Sequence, residues 1–412
     1  MNATKVITII GESCNGCDKC MKRCPTEAIR VRNGKAVINY DRCVGCGECV
    51  RVCPTHSKAE HYDPFEMIND YKYKVVLVSS SLYVQFPNIS DVNVLLTGLK
   101  KMGFDDVFEV AVGVEYVINA IRKLIKSDRA VKPIISTMCP AVKNLILNKY
   151  ENIADHLAPI VQPEKYAARL ALDIALKKTG LDRKDIGIFV ITPCGANVME
   201  LKETASDIID GVLSTREIYF PLRAIIGKIK RDEVENLCVA STKGVVCASN
   251  SGSSSYINTD RYITASGVEG VISVLNEMDH DRLDSLDYVE LFACSTGCTG
   301  GSMNVENCFL ARARMRMIAK HLSNKMDFKP VKRRSIKEKP YKINNVYKLH
   351  NNFMEALKMT RRMNEIYDKL PKLNCGYCGA PSCRAFAEDY VKGEILKCRY
   401  YEVKEDEKQD EH

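Results

Sequence analysis

From Lys74 to about Asn324, short apolar runs alternate with longer amphipathic stretches. Tyr73 to Val78, Asp106 to Val110, Pro133 to Thr137, Ile186 to Thr192 and Tyr288 to Phe292 have the length and residue types of strands. Val92 to Met102, Glu115 to Ile125, Tyr166 to Lys178 and Gly267 to Met278 repeat apolar residues at helical spacing. This alternation predicts an α/β domain of mostly parallel, doubly wound sheets over residues 63–328. The flanks differ. Residues 1–62 repeat a short-spaced pattern and predict a small separate domain. The lysine- and proline-containing stretch 329–346 reads as a solvated linker. Tyr347 to Leu370 reads as a helix opening a third domain, 347–412, whose acidic tail from Glu402 to Glu411 is expected to be disordered.

At 412 residues the chain has room for these three domains around one sizeable core. No apolar stretch approaches the length of a membrane span, and Met1 to Glu12 does not read as an export leader. There are 19 cysteines, most at metal-type spacing, which points to a reducing cytoplasm and away from a disulfide scaffold. The formal charge of +8 invites a nucleic-acid reading. Each [4Fe–4S] core held by four thiolates would bring about −2, however, and three would cancel most of that excess. No nucleic-acid partner is expected.

Eight cysteines near the N-terminus read Cys14-x2-Cys17-x2-Cys20-x3-Cys24-Pro25 and Cys43-x2-Cys46-x2-Cys49-x3-Cys53-Pro54. At this spacing one loop wraps three corners of a cubane, and the fourth cysteine crosses to the neighbouring cluster. Cys14, Cys17, Cys20 and Cys53 are therefore assigned to one [4Fe–4S] cluster, and Cys43, Cys46, Cys49 and Cys24 to the other. Zinc usually takes two separated CxxC pairs, so the pattern is that of a bacterial two-cluster ferredoxin. The last four, Cys375-x2-Cys378-x4-Cys383-x14-Cys398, look like the small Fe–S domain of several anaerobic electron-transfer proteins. That resemblance implies a third accessory [4Fe–4S] cluster, although a structural zinc would also accept four cysteines.

A fourth set is scattered. Cys139, Cys194 and Cys294 each lie at or just beyond the end of a predicted strand, and Cys298 follows Cys294 by four. Doubly wound sheets present their crevice at the carboxyl ends of strands, so three distant segments are expected to meet there. A single buried cysteine is an ordinary small hydrophobe. Four so placed, beside a ferredoxin domain, suggest a buried active-site cluster.

Thr137-Met138-Cys139-Pro140, Thr192-Pro193-Cys194 and Glu290-x3-Cys294-x2-Gly297-Cys298-x1-Gly300-Gly301 resemble the three signature segments of [FeFe]-hydrogenases, and Val212 to Glu217 is similar to a further stretch. The resemblance implies an H-cluster: a [4Fe–4S] cubane on Cys139, Cys194, Cys294 and Cys298, with Cys298 bridging to a diiron subsite. That subsite carries CO, cyanide and a dithiolate, and maturation proteins insert it. The implied reaction interconverts H2 with protons and electrons. Met138 stands where catalytic members carry a proton-relaying cysteine. Asn197 replaces a lysine that contacts a cyanide, and is expected to donate a weaker, uncharged hydrogen bond. Thr192 and Phe292 replace methionines.

A buried carboxylate could substitute for the relay. Glu290 is the first choice, with Cys247 and the hydroxyl-rich loop Ser249 to Ser255 as further members of the path, and Glu200 is another; the alternative is that Glu290 merely organises backbone and Cys247 is ordinary core. Cys238 and Cys308 read as structural. The architecture resembles the divergent, sensory branches of the family, closer to group D than to group C. Three functions follow: a hydrogenase of modest turnover working with a ferredoxin-like redox partner, an H2 or redox sensor acting through a signalling partner, and an Fe–S scaffold without the diiron unit.

Overall fold

The computed structural model describes residues 5–127, 130–394 and 397–400. Twelve strands form four sheets among the described residues: β1 (Ile7–Ile9), β2 (Ile29–Arg32), β3 (Lys35–Ile38), β4 (Lys58–Glu60), β5 (Tyr73–Val78), β6 (Asp106–Glu109), β7 (Ile134–Ile135), β8 (Ile186–Thr192), β9 (Gly211–Ser214), β10 (Tyr262–Ser266), β11 (Tyr288–Phe292) and β12 (Ser295–Cys298). β1 pairs with β4, and β2 with β3, both antiparallel, in the N-terminal domain. The central domain holds two parallel sheets, β6-β5-β8-β9 and β10-β11-β7. The fold is thus mixed α/β with parallel sheets, as the alternation predicts.

β8 is buried at all seven positions and β11 at all five, because helices cover both faces. Val76, Leu77, Ile188, Val190 and Ile191 sit in the core with Leu95, Leu96 and Ala167 from flanking helices. Helix Val110–Ile125 begins well before the predicted Glu115, because Val110 to Val114 are apolar and pack inward rather than extending the strand. The expected Pro133–Thr137 strand shrinks to the two residues of β7. The last long helix runs Phe353–Lys369 rather than from Tyr347: Asn352 Oδ1 accepts from the Met354 and Glu355 backbone N–H groups and fixes the start.

The stretch 329–346 is not a solvated linker. Val161 N–H donates to the Ile336 carbonyl and Glu338 N–H to that of Pro159. Arg334 pairs with Asp173, and the Tyr341 hydroxyl donates to the carbonyls of Ala158 and Ile160. Basic composition alone hides such pinning, because Arg334, Ile336 and Glu338 turn inward while their neighbours face water.

The C-terminal domain docks on the N-terminal one. Arg30 and Arg32 both reach Asp389, Arg42 pairs with Glu388, and Val31 N–H donates to the Gly379 carbonyl at 2.9 Å. The acidic tail from Glu402 lies outside the described residues. Among the described residues no helix is long and apolar enough to cross a membrane.

Candidate metal centre

In the N-terminal domain Cys24, Cys43, Cys46 and Cys49 line one cavity, walled by Ile7, Ile29, Ile38 and Val44. Burial pushes the Cys43 thiol up to about 11 and raises those of Cys46 and Cys49 as well, so thiolates persist there only beside a compensating cation. The other set has a cation of its own. Cys17 and Cys53 both act electrostatically on Cys20, and the Lys58 ammonium faces Cys14, Cys20 and Cys53. Burial raises the Cys53 thiol, but hydrogen bonds led by Ser57, 3.2 Å away, overcome it and bring Cys53 to about 7. In the C-terminal domain Cys375, Cys378, Cys383 and Cys398 line a third cavity with Leu370, Tyr377 and Phe386. Among the described residues no three His, Cys, Asp or Glu side chains close on a single-ion site; these sets wall wider spaces.

The scattered set converges where the two parallel sheets meet. Cys194, two residues past β8, caps helix Gly195–Thr204; Cys139 caps helix Pro140–Lys149. Cys294 follows β11 and Cys298 ends β12. Backbone N–H groups of Ala141 and Val142 point at the Cys139 sulfur, and that of Asn197 at the Cys194 sulfur. Helix N-termini favour negative charge, which suits thiolate ligands. Burial raises all four thiols, Cys139 to about 11, and each thiolate opposes the next: Cys298 feels Cys194, Cys139 and Cys294. The loops can approach because Gly301 has no side chain; a Cβ there would lie 2.4 Å from the Pro193 oxygen.

The polar neighbours are redistributed from expectation. Asn197 Nδ2 donates to Glu164 Oε1 at 2.9 Å and to Thr192 Oγ1 at 3.1 Å, which engages both amide hydrogens. Glu200 is buried against Lys143 and is no free carboxylate. Glu290 is fully buried but gives Oε1 to the Ser253 N–H and hydroxyl and Oε2 to the Ser254 N–H. Cys247 is buried and donates to the Lys243 carbonyl. Met138 packs on the cluster containing Ile134, Ile257 and Tyr288.

Glu164 was not legible. It opens helix Pro163–Thr179, where a first-turn acid normally just offsets the helix dipole. Here burial holds its carboxyl above the usual range, and its charge bears on Cys298. Glu164 Oε2, Asn197 Oδ1 and Gln162 Oε1 are shut off from solvent with no partner among the described residues. Buried polar atoms are rarely left so, and three orphans beside four converging thiols fit a site shaped for a polar, metal-bearing group.

A profile described as the iron only hydrogenase large subunit, C-terminal domain, matches residues 72–259. A 4Fe–4S dicluster domain matches 6–54 and an Fe–S cluster domain 370–400. No curated protein matches the chain. A variant of HydA1, an [FeFe]-hydrogenase from Chlamydomonas reinhardtii, superposes with a TM-score of 0.52 at 15% identity, covering 67% of this chain and 95% of that one. An [FeFe]-hydrogenase examined for oxygen inactivation of its H cluster gives 0.51 at 14%, with the same coverage. At such identities the likeness is one of fold, and the domain profiles add the rest. Residues 72–259 thus match an iron-only hydrogenase large-subunit domain and share the [FeFe]-hydrogenase fold, flanked by an N-terminal 4Fe–4S dicluster domain and a C-terminal Fe–S domain.

Proposed function

We propose that the chain interconverts H2 with protons and electrons at an H-cluster, at modest turnover, and that a cytoplasmic H2-sensing role is its use. The observation that carries this is the meeting of Cys139, Cys194, Cys294 and Cys298 from three strand ends beside the ferredoxin domain. In this reading those four would hold a cubane, and Cys298 would be the thiolate offered to a diiron subsite supplied by maturation proteins. The bound group supplies the H2-splitting metal. The two ferredoxin sets and the C-terminal set hold three accessory [4Fe–4S] clusters and carry electrons to a ferredoxin-type or signalling partner.

The chain's own part is proton handling and enclosure. Glu164 is placed to hold a proton at Oε2, next to the Cys298 end of the site, with Asn197 fixing Oε1. Burial favours its neutral form, the form that can give a proton. Glu290 has contacts that favour an organising role: both oxygens tie down the 253–254 backbone, and Ser253 passes the network to the Tyr288 hydroxyl at 2.9 Å. Glu290→Gln is expected to lower stability by about 1–3 kcal/mol, since an amide N–H would face donors there. Turnover should stay within about threefold. Chemical denaturation with H2 uptake on the same sample checks both; unchanged stability with collapsed turnover would make Glu290 the relay.

The alternative is a non-catalytic sensor, favoured by Met138, which carries no proton at the relay position. Such a protein needs only differential affinity between two states. The deciding experiment is infrared spectroscopy of anaerobic protein loaded with a synthetic diiron subsite. Fe–CO and Fe–CN bands that shift under H2 are expected. Their absence with all cubanes loaded would overturn the hydrogenase reading and leave an Fe–S scaffold.

A further inference from the structure

Arg51 ends the short helix Glu48–Arg51 in the inner half of the ferredoxin domain. One terminal nitrogen, Nη1, lies 3.8 Å from Cys294 Sγ. The other, Nη2, donates to the Cys46 carbonyl oxygen at 3.1 Å and to Glu48 Oε2 at 2.9 Å. One guanidinium therefore touches a cysteine of the central set and the backbone of a cysteine of the inner ferredoxin set. The two domains are in close contact at this point: Gly45 has φ +64°, and a Cβ there would meet Ala196 Cα at 2.8 Å.

Charges around the guanidinium are accounted for on each side. Glu48 is shared with Arg23, which also reaches Glu269; Glu60 accepts from Gly195 N–H at 3.3 Å and acts electrostatically on both Cys294 and Arg51, with Arg216 as its second cation. Glu48 is held below the usual carboxylate range: burial would raise it, but Arg23 and Arg51 outweigh that effect. Arg23, Arg51 and Arg216 face Glu48, Glu269 and Glu60, three cations against three carboxylates, and Arg51 is the member placed against both cysteine sets.

We propose that Arg51 is the electrostatic link between the inner ferredoxin cluster and the central cubane, setting the reduction potential of both and the path between them. The proposal rests on reading both cysteine sets as cluster sites, and not on the diiron subsite. A cluster that gains an electron becomes more negative, and a fixed cation or a hydrogen bond to sulfur stabilises that state. An arginine does not lose its proton in a protein, so its charge stays in every redox state. The step is a plain electron transfer: the inner cluster gives up one electron and is oxidised, the central cubane accepts it and is reduced, and no proton moves. Because both clusters share one cation, lowering or removing its charge should move both potentials together.

The test uses the full chain, purified anaerobically and reconstituted with iron and sulfide alone, so that no diiron subsite or H2 turnover enters. Redox titration with dithionite, followed by EPR, compares the native chain with Arg51→Met and Arg51→Lys. Arg51→Met is expected to lower the potentials of the inner ferredoxin cluster and the central cubane, leaving the outer ferredoxin and C-terminal clusters unmoved. Arg51→Lys keeps the charge but has one ammonium for two contacts, and is expected to restore one potential and not the other. Unmoved potentials in Arg51→Met, or equal shifts in all four clusters, would overturn the proposal. Iron content short by about one cubane per chain, with the central signal missing in the native protein, would instead sink the cluster reading of the central cysteines and this proposal with it.

Discussion

Replacing Lys143 with methionine is expected to cost about 3–5 kcal/mol of folding stability, whereas replacing Lys143 and Glu200 together with methionines should cost far less. Lys143 and Glu200 are both almost fully buried and bound to each other. Lys143 lies one turn past Cys139 and Glu200 nearly two turns past Cys194, so the pair clamps the two helices whose N-termini carry these cysteines. The Lys143 ammonium also sits 5.4 Å from the Tyr341 ring, which the pinned 329–346 stretch delivers. Removing one partner strands a buried charge; removing both leaves apolar side chains of similar volume. Guanidinium denaturation of the iron-free chain would read the effect directly. A loss in the single variant that the double variant fails to recover would show that geometry, and not the stranded charge, is what the site depends on.

What could be read from the sequence followed from how local each signal is. β5, β8 and β11 are mostly apolar, Lys74 and Glu290 excepted, because they are buried over most of their length, and they lie where the runs predicted them. β10, Tyr-Ile-Thr-Ala-Ser, sits at a sheet edge, only partly buried, and its mixed composition carried no such signal. The cysteine sets were visible for the same reason: Cys43 and Cys46 sit on one loop, Cys49 in the helical turn that follows it, and the spacing itself is the chemistry. The residues that tune the centre were not visible. Arg51, Lys143, Gln162 and Glu164 look like ordinary surface polar residues until tertiary packing brings them to the cysteines. Asn197 shows the converse. Its motif position suggested a cyanide contact, and only the fold shows that Glu164 and Thr192 take its hydrogens.

Glu164→Gln is expected to lower H2 turnover by about 10²- to 10⁴-fold while making the protein more stable at neutral pH, and that pairing separates a proton carrier from a structural acid. In the unfolded chain a glutamate ionises near about pH 4.3. Burial puts the folded value of Glu164 above that, with Glu200 adding a smaller push in the same direction. Below the unfolded value both states hold the proton and the carboxyl is neutral toward folding. As pH rises the unfolded chain ionises first, so stability is lost until pH passes the folded value, beyond which the loss is constant. Glutamine cannot ionise, so it removes that loss: stability should match the native chain near pH 4 and exceed it at pH 7 to 8. Its carbonyl can still accept from Asn197, so the site should keep its shape. The proton is gone, however, and the infrared bands of a loaded diiron subsite should lose a pH dependence that the native protein shows. Turnover retained in Glu164→Gln, with that pH dependence intact, would remove Glu164 from the proton path. A gain in stability without any loss of turnover would mean the carboxyl is merely tolerated there.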